Sequence, residues 1–490
     1  MNNNSGNTAR IHPQRLFVAS CFALVSTSVS FAVVGDIMGA LKEQFVLTNQ
    51  QVGYIAGAQL WGFTLSIFIL GPLCDFLGMR ALLRLAFLGH FAAVLVMAFA
   101  NGFWMLFGGA LACGMANGCV EAAGNPLVAT LFPDRKTEKM NQFHVWFPGG
   151  ITIGCLVAYA IGRAGFDDWR LKLIMILIPT VVYGILFLGQ KFPTTERVQS
   201  GVSTGEMFKA TFMRPLLLLL LVCMMMTASV ELGPNRWMPA VSGILVLSWI
   251  TALMGISRYF AGPVIRRLSP TGILLASAIM SGLGLWWLSD AETRITTYIA
   301  ATVFALGVSY VWPTMLGVVS ERVPRGGALA LAVMAGTGAL TAGLITTPAM
   351  GWIGDKTGHE KLEPAGTTAV LQQVVDTFPA MAREAEGNLG KDIESAAESA
   401  RTILAEVENG GSLPAVETAN ALRKVIRVGG ASPLAESAEG LLEPADNYGG
   451  RVSFRAVACL SIVLTVIFGI LYFRDRATGG YRAEKIGEPH

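Results

Sequence analysis

Charged residues are scarce in this chain. Asp, Glu, Lys and Arg make up 14% of its 490 residues, whereas a water-soluble domain carries about 25%. That shortage excludes an ordinary soluble globule. No GxxxxGK loop followed by Ser or Thr is present, so nothing cradles ATP phosphates and an ATP-driven pump is excluded. HExxH and CxxC pairs are missing too, and no metal or cofactor is expected. The seven cysteines (Cys21, Cys74, Cys113, Cys119, Cys155, Cys223 and Cys459) fall in or beside apolar stretches and read as small packing residues. Neither an enzyme nor a nucleic-acid binder is expected.

What the chain has is apolar length. It is 53% hydrophobic, with a mean hydropathy of +0.54. A run of 18 or more residues with few charges reads as a membrane span. Twelve meet that rule: 15–41, 50–73, 81–100, 103–131, 143–163, 171–190, 214–233, 238–265, 271–289, 294–319, 327–353 and 453–473. Arg15 leads straight into the first run with no small-residue cleavage site behind it, so that segment is expected to be a retained helix. Basic residues crowd alternate loops: Arg80 and Arg84; Arg135, Lys136 and Lys139; Lys191, Arg197, Lys209 and Arg214; Arg266 and Arg267; Arg322 and Arg325. Both tails are basic, through Arg10 and Arg15 and through Arg474, Arg476, Arg482 and Lys485. The opposite short loops are sparser and often acidic: Lys42 and Glu43, Asp167 and Asp168, Asp290 and Glu292. That asymmetry predicts a multi-pass protein of the inner (cell) membrane with both termini cytoplasmic.

Polar residues inside the runs mark where function should lie. Asn117, Glu121 and Asn125 are spaced i, i+4, i+8 and form one stripe on the fourth span. A carboxylate at bilayer depth costs several kcal/mol, roughly 2.5–3.5 on insertion scales. Such a group is tolerated beside a water-filled path or a partner. Asp36 lies in another apolar run and is a second candidate. The chain also repeats itself at an offset of six spans. Gly71-Pro72 closes span two and Gly262-Pro263 span eight; Pro126 interrupts span four and Pro313 span ten; Asp36 comes late in span one and Glu231 late in span seven. Two parallel six-helix halves give that pattern, with substrate bound between them near the midplane.

The segment Gly71–Arg80 resembles the loop 2–3 signature of the major facilitator superfamily, at Gly71, Leu73, Asp75, Gly78 and Arg80. Glu121-Ala122-Ala123-Gly124-Asn125-Pro126-Leu127, Met140-Asn141, Gly35-Asp36-Ile37, Val230-Glu231-Leu232-Gly233, Trp312-Pro313-Thr314 and Gly351-Trp352-Ile353-Gly354-Asp355 are similar to the fucose-permease branch of proton-coupled sugar symporters. The resemblance implies an all-α membrane protein of twelve helices in two pseudo-symmetric bundles. It implies that Asp36 and Glu121 couple protons and that Asn141 lines a sugar site. A carboxyl in a dry setting can load a proton on one side and release it on the wetter side. His144 and Phe147 depart from the branch, which carries amides near those places, so the sugar's identity stays open.

Further candidates come from the residues themselves. Gln59 and Ser66 share a face of span two and either line the cavity or bridge helices. Asn117, Asn125, His144, Glu231, Asn235 and Trp312 are candidate substrate residues, and Trp237 is either one of them or part of an interfacial belt. Asp75, Arg80 and Arg258 read as gate residues, with Arg258 snorkelling from span eight to the cytoplasmic interface.

The segment 357–450 stands apart. Fifteen acids and seven bases give it a net charge of −8, against +11 for the rest of the chain. Ile393, Ala396, Ala400, Ile403, Leu404 and Val407 recur at helical spacing, and Gly410-Gly411, Gly429-Gly430 and Pro433 punctuate it. Three or four short helices are expected there, outside the membrane. The expected organisation is a first bundle over 1–190, a cytoplasmic linker over 191–213, the second bundle over 214–356, the insert over 357–450, and the last helix with its tail over 451–490. The function expected is import of a sugar, fucose-like or another hexose, by proton symport and alternating access, by a monomer in the lipid bilayer. A proton-coupled exporter of apolar or cationic compounds, or a non-transporting sensor, are the alternatives on the same fold.

Overall fold

The computed structural model describes residues 11–484 and 486, apart from 46, 48, 167, 386, 410 and 431. Arg10, Asp167, Gly410 and Lys485 lie outside the described residues, as do the side chains of Lys42 and Glu43. Among the described residues every regular element is helical.

The first half holds spans one to six: Pro13–Asp36, Asn49–Leu77, Met79–Ala98, Phe103–Leu131, Trp146–Arg163 and Trp169–Phe187. A short helix, Lys136–His144, leads into span five. Spans seven to nine are Pro215–Ser242, Ile244–Tyr259 and Ala261–Asp290. Span ten comes in two pieces, Arg294–Val308 and Val311–Arg322. Span eleven runs from Gly327 to His359 through a π-helical turn at Ala342–Thr346. With the final helix, Pro433–Ala477, whose lower part is span twelve, eleven helices among the described residues are long and apolar enough to cross a membrane, and the eighth span is apolar but shorter at 16 residues. Span one starts and Pro433–Ala477 ends on one face of the bundle, linked through Phe17–Phe132, Thr137–Glu321 and Arg322–Asp475, and this is the terminus-bearing face.

Small residues let the helices meet backbone to backbone. A Cβ on Gly114 would sit 1.9 Å from the carbonyl oxygen of Gln59, and one on Gly62 would sit 2.2 Å from that of Leu111. Spans two and four therefore cross with nothing between them, as membrane helices do in the absence of a hydrophobic driving force. The two Gly-Pro pairs are placed less symmetrically than their spacing suggests. Gly71-Pro72 lies inside span two, whereas span eight already ends at Tyr259 and Gly262-Pro263 opens the next helical segment. That segment kinks at Ser269 (φ 61°, ψ 162°), the residue before Pro270, where the proline ring disfavours the α region.

The insert folds as three helices, Pro364–Glu384, Asn388–Glu408 and Ala415–Gly429, and a fourth that does not stop. Pro433–Ala477 is one helix of 45 residues, so the chain shows no break at 450–451. The insert has a core of its own, built by Leu371, Phe378, Ala396, Ile403, Leu422 and Leu442. Ile393, Ala400 and Leu404 join that core and Val407 is half-buried. The fourth helix crosses span eleven closely: a Cβ on Gly449 would lie 2.0 Å from the Gly354 oxygen, and one on Gly358 2.4 Å from that of Ala445. Arg423 closes the joint by donating to Asp446 at 2.9 Å and to His359 Nε2 at 3.2 Å.

Candidate functional site

Two prolines set up the centre of the bundle. A helical carbonyl normally accepts from the N–H four residues on, and proline has none. Pro313 leaves the oxygen of Ser309 without that donor, and span ten breaks there. Pro148 does the same for the oxygen of His144. Arg258, at the end of span eight, takes both: its Nε donates to Ser309 and its Nη1 to His144 at 3.1 Å. Its Nη2 donates to Glu231 Oε1 at 3.0 Å. Arg258 is 2% exposed, so it does not snorkel to the interface as the sequence suggested. Two unpaired carbonyls and a carboxylate hold it inside.

On the other side of the seam, Asn125 Nδ2 donates to Glu121 Oε2 at 2.7 Å, one turn away on span four. Asn125 Oδ1 faces His144 Nε2 at 3.0 Å. An amide oxygen only accepts, so Nε2 of His144 carries the proton in this bond. Glu121, Asn125, His144, Arg258 and Glu231 thus form a buried polar chain from one half to the other.

Asn117 belongs to a separate network. It donates to Ser30 at 2.9 Å and accepts from His90 Nε2 at 2.8 Å, while His90 Nδ1 meets the Tyr183 hydroxyl at 3.1 Å. Gln59 donates to the same Ser30 at 3.0 Å. These bonds tie spans one, two, three, four and six together. Gln59 and Ser66 are thereby seen bridging helices, the latter through Cys119 at 3.4 Å. His90 was missed from the sequence, although a lone histidine at the centre of an apolar run is itself a signal.

Asn141 lies on the helix before span five. It donates across the seam to Thr314 at 3.1 Å, and its Oδ1 is buried without a partner. Glu231 Oε2, Asn235 Oδ1 and Trp237 Nε1 are also buried and unpartnered among the described residues. Buried polar atoms are normally satisfied, so each of these four is a group that a polar guest would satisfy. Trp312 is half-buried and its ring lies beside Gly338 of span eleven.

Asp36 departs from expectation. It ends the first helix, its side chain is 40% exposed, and Lys172 of span six pairs with it at 2.5 Å. Glu121, by contrast, is 4% exposed. The apolar run that contains it extends past the end of the helix.

The terminus-bearing face is latched. The Asp75 carboxylate is fully buried and accepts from Thr195 at 2.5 Å and from Arg197 at 2.6 Å. Arg80, its neighbour in the signature, is exposed. Glu321 Oε1 accepts from the Thr137 backbone at 2.9 Å and hydroxyl at 2.8 Å, joining the halves. Glu321 Oε2 accepts from Tyr481 at 2.7 Å. Burial and the adjacent Glu321 push that phenol well above its usual range, so it stays protonated and donates.

Two enzyme-like or metal-like clusters resolve into structural roles. Gly201-Val202-Ser203-Thr204-Gly205 matches G-x-S-x-G, but no strand precedes it as a nucleophile elbow needs. Ser203 caps the helix Thr204–Phe212 and forms a capping box with Glu206. Asp355, His359 and Asp446 bring ligand atoms within 4.8 Å of one another. The Arg423 guanidinium already bonds two of them, which makes the group an ion-pair joint.

Comparison with known proteins agrees with this architecture. The Major Facilitator Superfamily model matches residues 16–345. A D-xylose transporter of Levilactobacillus brevis is 32% identical over 160 residues, covering 32% of this chain and 34% of that protein. The match thus spans about a third of that relative's length. Among solved structures, the fucose:proton symporter of E. coli superposes with a TM-score of 0.59 at 16% identity, covering 70% of this chain and 92% of the other. A proton:xylose symporter gives 0.58 at 16% identity, over 70% and 90%. At such identities the likeness establishes the fold. With the family match covering most of the chain and the twelve-helix fold shared, this protein belongs to the major facilitator superfamily.

Proposed function

We propose that this protein imports a sugar by proton symport through alternating access, with both termini in the cytoplasm of a cell whose inner membrane it spans. The observation that carries the proposal is the polar chain from Glu121 through Asn125 and His144 to Arg258 and Glu231. In this reading Glu121 is the carboxyl that exchanges a proton on one half, and Arg258 with Glu231 is the ion pair on the other. A proton taken up by Glu121 alters the bond to Asn125 and, through His144, the seam itself. The unpartnered oxygens of Asn141, Asn235 and Glu231 and the Trp237 N–H are groups that sugar hydroxyls satisfy. Arg80, Arg84, Arg135, Arg266 and Arg322 all lie toward the terminus-bearing face, which supports a cytoplasmic orientation for it. That face is latched in this state, so substrate enters from the other. The activities of the fucose:proton and proton:xylose symporters, and of the D-xylose transporter, support a sugar as substrate. Asp36, exposed and held by Lys172, plays at most an accessory part at the outer mouth.

Uptake of labelled hexoses, pentoses and deoxyhexoses into proteoliposomes, with and without an inward proton gradient, tests this reading. Accumulation of one sugar only when the gradient is imposed is expected. Gradient-driven movement of a lipophilic cation, with no sugar transported, would overturn it.

A further inference from the structure

Spans three and six leave a groove of about 230 Å3 between them, on the outside of the first half. Val181, Ile185 and Leu188 in its wall are exposed apolar residues, as expected of a surface that faces lipid tails. Leu83, Phe87, Phe187 and Phe192 line it. One polar hydroxyl in its wall, that of Tyr183, is turned inward to His90 at 3.1 Å. The groove is therefore apolar along its length.

Its end at the terminus-bearing face is different. Arg80 and Arg84 line it there, four residues apart and so on one side of the first turns of span three. Both are exposed, and neither forms a hydrogen bond or ion pair among the described residues. Other arginines on this face are engaged by carboxylates: Arg197 by Asp75, Arg322 by Asp475, and Arg135 by Glu138. Arg15 adds positive charge at the same end, with its own donors engaged by the carbonyls of Ile185, Leu186 and Leu188.

We propose that this groove binds one anionic phospholipid. The phosphate sits between the Arg80 and Arg84 guanidinium groups, whose forked donors suit it. Part of one acyl chain lies against Phe87 and Phe187. Charge complementarity selects this occupant: two unpaired cations at the membrane interface, over an apolar cleft, fit an anionic head joined to a hydrocarbon tail. A zwitterionic lipid matches the cleft and not the second cation, and a free phosphate matches the arginines and not the cleft. The site is independent of the transported substrate. Its wall includes Tyr183, so an occupant packs one residue away from the His90–Asn117 network.

The test uses the purified full-length protein in detergent, titrated with phosphatidylglycerol or phosphatidylcholine, with retained lipid counted by native mass spectrometry. Wild type should retain one phosphatidylglycerol in preference to phosphatidylcholine. Arg84→Gln should weaken that retention about fivefold, and the Arg80→Gln/Arg84→Gln pair further, because each basic residue near the surface contributes about that factor. Arg80→Lys/Arg84→Lys should keep much of it. Val181→Trp, which fills the groove and leaves both charges, should weaken it as well. Thermal melting of each variant without added lipid checks the fold, and Arg84→Gln alone carries the test if the double variant melts early. Equal retention of the two lipids, unchanged retention in the glutamine variants, or displacement of phosphatidylglycerol by inorganic phosphate at equal concentration would each overturn the proposal.

Discussion

Pro148 and Arg258 act on the same carbonyl from opposite halves of the bundle. The proline withholds the N–H that the oxygen of His144 would otherwise receive, and the arginine supplies its own at 3.1 Å. The seam is thus held by a charge that no loop residue could replace, and four expected outcomes follow from this and neighbouring contacts.

Arg258→Met leaves Glu231 buried without its cation. Removing one partner of a buried pair costs about 3–5 kcal/mol, whereas replacing both with apolar residues is often near neutral. Thermal unfolding should drop sharply for Arg258→Met and recover in the Arg258→Met/Glu231→Met double variant, which should still fail to transport. A double variant no more stable than the single one would show that Glu231 is not the source of the loss.

Glu121→Gln keeps the shape of the side chain and its bond to Asn125 but cannot exchange a proton. Accumulation driven by a pH gradient should vanish, while counterflow exchange of sugar continues. Normal accumulation in that variant would remove Glu121 from coupling.

Tyr481→Phe deletes the hydroxyl that the tail offers to Glu321. Both residues belong to the second half, so the hydroxyl acts on the seam only by orienting the carboxylate that Thr137 bonds, and the terminus-bearing face should open about two- to threefold more often. Alkylation of a cysteine introduced at Ala129, buried near that face, measures this. An unchanged rate would mean that Thr137 and Glu321 hold the face without the tail.

The insert should tolerate trimming only up to its crossing with span eleven. Replacing 361–441 with a short Gly/Ser loop should leave a folded transporter, since the core removed is the insert's own. Replacing 357–450 also deletes Gly358, Ala445 and Gly449, which meet backbone to backbone. That version should lose expression and thermal stability. Equal behaviour of the two replacements would show that the crossing contributes nothing.

The span positions were legible because length and hydropathy are local properties, and 103–131 is reproduced by Phe103–Leu131 at both ends. Glu121 and Asn125 were legible as a pair because one helix sets their spacing. Asn117 shares that stripe yet bonds His90 and Ser30, because its partners depend on which helices lie beside it. Arg258 was misread for the same reason. Its partners, Glu231, His144 and Ser309, are 27, 114 and 51 residues away, and the prolines that free two of those carbonyls are marked only as helix interruptions. Asp36 shows the limit of apolar runs, since a run can continue beyond the end of the helix within it. The link between Asp75 and Arg197 joins a signature residue to a linker residue that belongs to no motif.

The 45-residue helix that begins in the insert and ends at Ala477 runs without interruption through Pro444, and is about 65–70 Å long at 1.5 Å per residue. Its lower half is part of the second bundle, so any tilt of that bundle swings the upper half, and the small helical body attached to it, through a wider arc. The acidic insert is then the long arm of a lever whose fulcrum is the crossing at Gly354 and Gly449. A binder clamped on the arm would hold the second bundle in one tilt without touching the seam between the halves, and one that follows the arm would report each tilt.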